Sequence, residues 1–267
     1  MTFATQSTPR TSLLLLALLV GCKPGTPAHE PTEAAQPAPQ STPTNTQPSA
    51  PVGSETISGN ISVTGKPPAK IRIDTSMDPA CSLSGGDVYT EQYVVDNGKL
   101  ANVFVYVKSG PRAAMDASRA ASKPVVLDQQ ACRYTPHVIG VVQGGTVEFH
   151  NSDPTMHNIH TMPTVVGNET IDVSQGPRGA PQTKSFAKPE LMMPVRCNNH
   201  PWMNAFINVS ATPFFAVSDR KGHFDLHGLP PGDYILGAVH EKLGEQTLPI
   251  TIKTGRPAEA NFTFAAK

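Results

Sequence analysis

The sequence predicts an all-β protein made of Greek-key sandwiches. Three observations lead there. Val, Ile, Thr and Phe gather in short runs bounded by Gly, Pro, Asn and Asp, which is the punctuation of strands and turns. Within those runs apolar and polar residues tend to alternate, the two-residue period of a half-buried strand. No long segment keeps a helical period, and only 112–122 reads as one short helix.

The elements follow in chain order. Residues 57–63 alternate and end at the turn Gly65-Lys66-Pro67-Pro68. Short strands are expected at 70–73, 89–95, 103–107 and 125–127. Residues 134–142 lead into Gly144-Gly145, and 146–151 form the next strand, with Val147 and Phe149 on one face and Glu148 and His150 on the other. A strand at 183–187 stops before Pro189. Residues 191–197 form a strand in which Val195 and Cys197 point the same way. After a tight loop, Ala205, Ile207 and Val209 resume an inward alternation. Turns at 218–222 and 228–232 bracket Phe224 and Leu226, which share a face, and strands at 234–239, 248–252 and 260–264 finish the chain.

Charge excludes one class of partner. The formal net charge is +0 and no Lys/Arg run occurs, so nucleic acid is not expected to bind. The N-terminus looks like an address. Arg10 precedes an apolar run at 13–20, too short for the roughly 20 residues of a membrane span, so it reads as the core of a secretory signal. Its end, Leu19-Val20-Gly21-Cys22, resembles the bacterial lipobox; an ordinary signal peptide with an incidental cysteine is the plainer alternative. The resemblance implies cleavage before Cys22 and its acylation. That would make an exported protein of the bacterial cell envelope, on its periplasmic or surface face, held at the membrane by lipid. Residues 23–54 are Pro, Thr, Ala, Gln and Ser with almost no large apolar side chain, so they are expected to be a disordered tether.

Four cysteines remain to be assigned: Cys22, Cys81, Cys132 and Cys197. With Cys22 acylated, and with Cys197 on a metal, a Cys81–Cys132 disulfide is the economical pairing for an exported chain. Pairings that consume Cys197 stay open at this stage, although each leaves an odd thiol.

The chemistry concentrates in Cys197-Asn198-Asn199-His200-Pro201-Trp202-Met203, with a further donor upstream in Met156-His157-Asn158-Ile159-His160. One Cys, two His and one Met is the ligand set of a blue-copper site, which suits both Cu(I) and Cu(II). These segments resemble the cupredoxins, and the short loop spacing looks most like amicyanin. The region Phe149-x-Asn151-x-Asp153-x-x-Met156-His157-Asn158 is similar to the first-ligand region of amicyanin and plastocyanin. The resemblance covers roughly 144–209. It implies a one-electron carrier with one type 1 copper ion, held by His157, Cys197, His200 and Met203, and no catalysis. It implies Asn158 as a brace, His160 off the metal in the second shell or at the surface, and an exposed patch at His200, Pro201 and Trp202 where a redox donor and acceptor dock. Other methionines are expected in packing. His137, His150, His223 and His227 read as structural or solvated, with the role of His240 open.

The pattern Gly222-x-Phe224-x-Leu226-x-Gly228-Leu229-Pro230-Pro231-Gly232-x-Tyr234 resembles the carboxypeptidase regulatory-like domain, a small and usually non-catalytic Ig-like β-sandwich. The expected organisation is therefore 1–22 signal and lipidated Cys22, 23–54 tether, 55–211 cupredoxin-like sandwich with extra N-terminal strands, and 212–267 regulatory-like sandwich. Competing functions are weighed by their motifs. A multicopper enzyme needs His-x-His motifs, which the sequence lacks, and a binuclear site needs a second cysteine in the loop. A zinc site would place His157 and His160 closer than the usual spacing. A copper-handling chaperone, or a non-redox binding lipoprotein, remains as the alternative.

Overall fold

The computed structural model describes residues 52–83, 87–117 and 123–266. Cys22 with its lipobox-like segment, most of the expected tether, and residues 118–122 of the expected helix lie outside them. The described chain runs β1 (Glu55–Thr64), α1 (Pro79–Leu83), β2 (Val95–Asp96), β3 (Lys99–Leu100), β4 (Phe104–Ser109), α2 (Arg112–Met115) and β5 (Val125–Gln129). It continues through β6 (Tyr134–Thr135), β7 (Val138–Val142), β8 (Thr146–Asn151), β9 (His157–Thr161), β10 (Asp172–Gln175), β11 (Gln182–Ser185), β12 (Glu190–Arg196) and β13 (Asn204–Ser210). It ends with β14 (Phe215–Val217), β15 (His223–Leu229), β16 (Gly232–His240), β17 (Gly244–Ile252), β18 (Ala258–Glu259) and β19 (Phe262–Ala265).

The fold is all-β, and its strands form two sandwiches. One core lies between the sheet β15-β1-β3-β2, to which β18 and β19 add through β1, and the sheet β14-β4-β16-β17. Ile57, Ile61, Val105, Val107, Phe224, Leu236 and Phe264 fill it. The second core lies between β10-β9-β12-β13-β7 and β11-β8-β5-β6, and holds Leu127, Ile139, Phe149, Ile159, Val195 and Ile207. The alternation read at 146–151 and 205–209 holds: Val147, Phe149, Ala205, Ile207 and Val209 are all buried. A smaller cluster of Phe104, Val138, Val142, Phe215 and Val239 joins β4 and β14 of the first sandwich to β7 of the second. Gly140 in β7 makes that contact possible, since a Cβ there would sit 2.6 Å from ring carbons of both Phe104 and Phe215.

Strand pairing crosses the boundary expected between 211 and 212. β14 pairs with β4, and β15 pairs with β1 along Glu55–Asn60. β19 lies parallel to β1, with Ile61 opposite Phe262. The strands of 55–109 therefore complete the C-terminal sandwich, and β5–β13 are inserted between its two parts. The physical reason is size. A segment of 212–267 alone would bury too little apolar surface and leave unpaired edges, which β1 and β4 cover.

Other differences are local. The strand expected at 70–73 is a single bridge from Arg72 to Tyr89, and 89–95 narrows to β2. The run 134–142 breaks into β6 and β7 at Pro136, which has no N–H to give to a ladder. The helix at 112–122 is described only as Arg112–Met115.

His240, whose role the sequence left open, is a buried core histidine. Its ring packs against Tyr93 and Phe264, and its Nδ1 accepts the Lys242 N–H while Nε2 has no partner. Burial pushes its pKa down to about 4; Glu241 opposes this, and His137 and Lys242 add to it. Between pH 6.5 and 4 the unfolded chain then binds the extra proton, so stability falls as pH falls through that window. The expected loss is roughly 3 kcal/mol. Urea midpoints at pH 7 and pH 4.5 check this: His240→Phe should lose distinctly less than the parent, and equal losses would remove His240 as the source.

Candidate metal centre

The site lies at one end of the second sandwich, where β9 and the β12–β13 connection meet. Antiparallel pairing sets Arg196 opposite His160 and Val195 opposite Thr161, so the next residue, Cys197, reaches the start of β9. The Asn158 N–H then donates to Cys197 Sγ at 3.3 Å. The loop closes on itself: the Cys197 N–H donates to the Met203 carbonyl at 3.2 Å, and the Met203 N–H to the His200 carbonyl at 2.8 Å.

Three donors converge in the closed loop. Cys197 Sγ is 3.4 Å from His200 Nδ1 and 4.0 Å from His157 Nδ1, and the two Nδ1 atoms are 2.9 Å apart. His157, Cys197, His200 and Met203 are 0%, 3%, 3% and 1% exposed, so the group is shut off from water. Met203 and Cys197 belong to the same buried cluster.

Each histidine is held from behind by a carboxylate. His157 Nε2 donates to Asp153 Oδ2 at 2.9 Å, and His200 Nε2 donates to Asp78 Oδ2 at 3.0 Å. Because an ionised carboxylate only accepts, each Nε2 carries a hydrogen, and each Nδ1 is left facing the thiol as the position that can hold a shared proton or a metal. Asp153 also accepts the Ala131 and Cys132 N–H groups at 2.7 and 2.8 Å. Burial alone would raise its carboxyl, but these bonds and His157 hold it below the usual range. Asp78 accepts the Thr155 hydroxyl at 2.8 Å and, through its other oxygen, the Ala80 N–H at 2.8 Å. Asn151 ties the intervening turn, its amide donating to the carbonyls of Thr155, Gln175 and Gly176.

The electrostatics suit a cation. Burial works against the Cys197 thiolate, yet hydrogen bonds from His157, the Asn158 amide and His200 bring its pKa down to about 6. Burial also works against a charged His157, yet Asp153 and Cys197 raise it to about 9. Without metal, the space between the three donors thus keeps a proton beside a thiolate, and an incoming metal replaces that proton. The donor separations are those of ligands standing about 2.0–2.3 Å from a shared ion, so the residues fit one.

Cys81 and Cys132 form a disulfide, which leaves Cys197 as the free cysteine among the described residues. The bridge lies against both carboxylate–histidine pairs. A donor-atom group of Asp78, Cys81 and His200 falls within 4.8 Å, as does one of Cys132, Asp153 and His157. His160 turns away from the donors, bonding Asn198 Oδ1 at 2.9 Å and bracing the loop from outside. Asn158 contributes its backbone N–H to the sulfur, while its side-chain amide donates to Ser174 Oγ. The Tyr134 hydroxyl donates to the Asn158 carbonyl.

The expected exposure of the His200 edge is not found. Asp78 covers its Nε2, and Trp202 leans on the ring with centroids 5.1 Å apart. The indole N–H donates to the Cys132 carbonyl at 3.1 Å, while Pro201 stays exposed. The cause is the segment around α1, which the disulfide fastens over the loop. Sequence reading missed Asp78, Asp153 and Tyr134. Asp153 had a signal, four residues before His157 in a Ser-Asp-Pro turn. Asp78 had none, since 122 residues separate it from His200.

Neither a family model nor a curated protein sequence matches the chain. Among solved structures it is similar to a Cu-containing nitrite reductase (NirK) from Thermus scotoductus SA-01, at 20% identity over 56% of this chain and 28% of that one, with a TM-score of 0.30. The chain therefore spans little more than a quarter of that enzyme's length. It is similar to a point mutant of amicyanin in the oxidized state at 22% identity, over 40% of this chain and 98% of that one, with a TM-score of 0.30. It is also similar to a purple cupredoxin from Nitrosopumilus maritimus at 21% identity, over 32% of this chain and 99% of that one, with a TM-score of 0.27.

Proposed function

We propose that this chain is a type 1 copper protein that carries single electrons between protein partners, anchored outside the cytoplasm through a lipid on Cys22. The observation that carries the reading is the convergence of the Cys197 thiol and the Nδ1 atoms of His157 and His200 in one water-excluded space. His157, Cys197 and His200 would hold the copper, with Met203 as the weak axial donor. Bound copper supplies a one-electron change of oxidation state. The chain's own residues keep the donors fixed, so little ligand movement accompanies that change, and they exclude water from the sulfur. A donor set this deeply buried suits electron passage through the protein edge, which needs no substrate at the metal. It suits a copper-handling chaperone poorly, because such a site must open for exchange. Exposed Pro201 and half-buried Trp202, which leans on the His200 ring, are the proposed partner-docking point. The lipid anchor is supported by Leu19-Val20-Gly21-Cys22 and by the tether-like composition of 23–54.

The test is direct. Residues 23–267, given one equivalent of Cu(II), should develop an intense visible thiolate-to-copper band and a narrow-splitting spin-resonance signal. One electron should bleach the band reversibly. A colourless product would sink the copper reading, and a colour that never returns after reduction would sink the carrier.

A further inference from the structure

We infer that Asp78 and Asp153 are the positioning residues of this centre. Each fixes one histidine with Nδ1 toward the metal, and together they favour its oxidised state. The inference rests on the copper reading above and extends it to residues that lie outside the ligand set. Two independent pieces of chain are involved. Asp153 sits in the turn before β9, four residues from the histidine it holds, and is itself held by the Ala131 and Cys132 amides. Asp78 comes from the turn into α1, on the far side of the site, and is oriented by Thr155 and the Ala80 amide. The Cys81–Cys132 bridge links the two pieces, with one sulfur beside each Asp–His pair. The result is a stapled frame in which neither imidazole can rotate without breaking a charged hydrogen bond.

Such a frame acts on the metal in two ways. A carboxylate on the remote N–H makes an imidazole a stronger donor. Its negative charge also interacts more favourably with a doubly charged ion than with a singly charged one, and burial strengthens that preference. Both effects act on Cu(II) more than on Cu(I). Merely structural support would act on both alike.

The experiment compares the parent with Asp78→Asn, Asp153→Asn and Asp87→Asn. Asp87 serves as the charge control: it lies on the same covering segment but pairs with exposed Arg72. Cu(II) and Cu(I) affinities are measured separately by chelator competition, and the potential by redox titration. Asp78→Asn should weaken Cu(II) binding about tenfold with Cu(I) binding unchanged, raising the potential by about 59 mV. Asp153→Asn should act in the same direction, and far-ultraviolet circular dichroism checks that each variant is folded. An unchanged potential in both variants, an equal loss of both affinities, or an equal shift in Asp87→Asn would each overturn the inference. A parent that forms no thiolate-to-copper band would instead overturn the copper reading itself.

Discussion

Replacing Cys197 with serine is expected to abolish the visible band completely and to weaken copper binding by at least about a hundredfold. The sulfur lies 3.4 and 4.0 Å from the two imidazole nitrogens, and it is the one free thiol among the described residues, because Cys81 and Cys132 are joined. A serine hydroxyl stays protonated where the thiol, with its pKa near 6, already ionises. It therefore offers no thiolate from which charge can move to copper. Serine is also close in volume and can accept the Asn158 N–H, so the metal-free fold should survive with a loss of about 1–2 kcal/mol. Absorbance titration with Cu(II), beside circular dichroism of the metal-free variant, checks both halves. An intense band in Cys197→Ser would mean that another group makes it.

Removing the disulfide should produce the largest loss of stability. The Cys81→Ala, Cys132→Ala double variant releases a loop of sequence separation 51. Closing such a loop in the unfolded chain is worth about 4 kcal/mol in the chain-entropy picture. That is a large part of the roughly 5–15 kcal/mol that holds an ordinary domain folded. The contacts at Cys132 that serve the site are made by its backbone: its N–H donates to Asp153, and its carbonyl accepts the Trp202 indole. Alanine keeps both, so the loss comes from the freed chain and from the loosened segment over His200. Urea unfolding of the metal-free protein should show the drop, and reducing the parent with a dithiol should reproduce it. A change below about 1 kcal/mol would show that the bridge closes no costly loop.

Much of the site was legible because it is local. Cys197, His200 and Met203 occupy one seven-residue loop, and the alternation on either side places the sulfur on the inner face. Val195 and Ala205 are both fully buried, as that reading requires. His157 was found through its neighbours and expected on a separate strand, but the bounds of that strand, β9, were not legible: His157–Thr161 holds two histidines and an asparagine, which hide its strand character. The disulfide followed from counting. The domain boundary did not follow, because β1 and β4 pair with strands more than a hundred residues away, and a local pattern records a strand but not its partner.

By itself, then, the sequence determined the all-β class, the inward faces of the strands, and the donor types gathered in the Cys197–Met203 loop. These depend on side-chain period and on spacing of a few residues, which any chain displays locally. Only the tertiary structure decided that 55–109 and 214–266 share one core, that Asp78 and Asp153 stand behind the two histidines, and that His200 is covered. Those outcomes depend on which distant segments meet, and that is settled by burying enough apolar surface and satisfying every buried polar group across the whole fold.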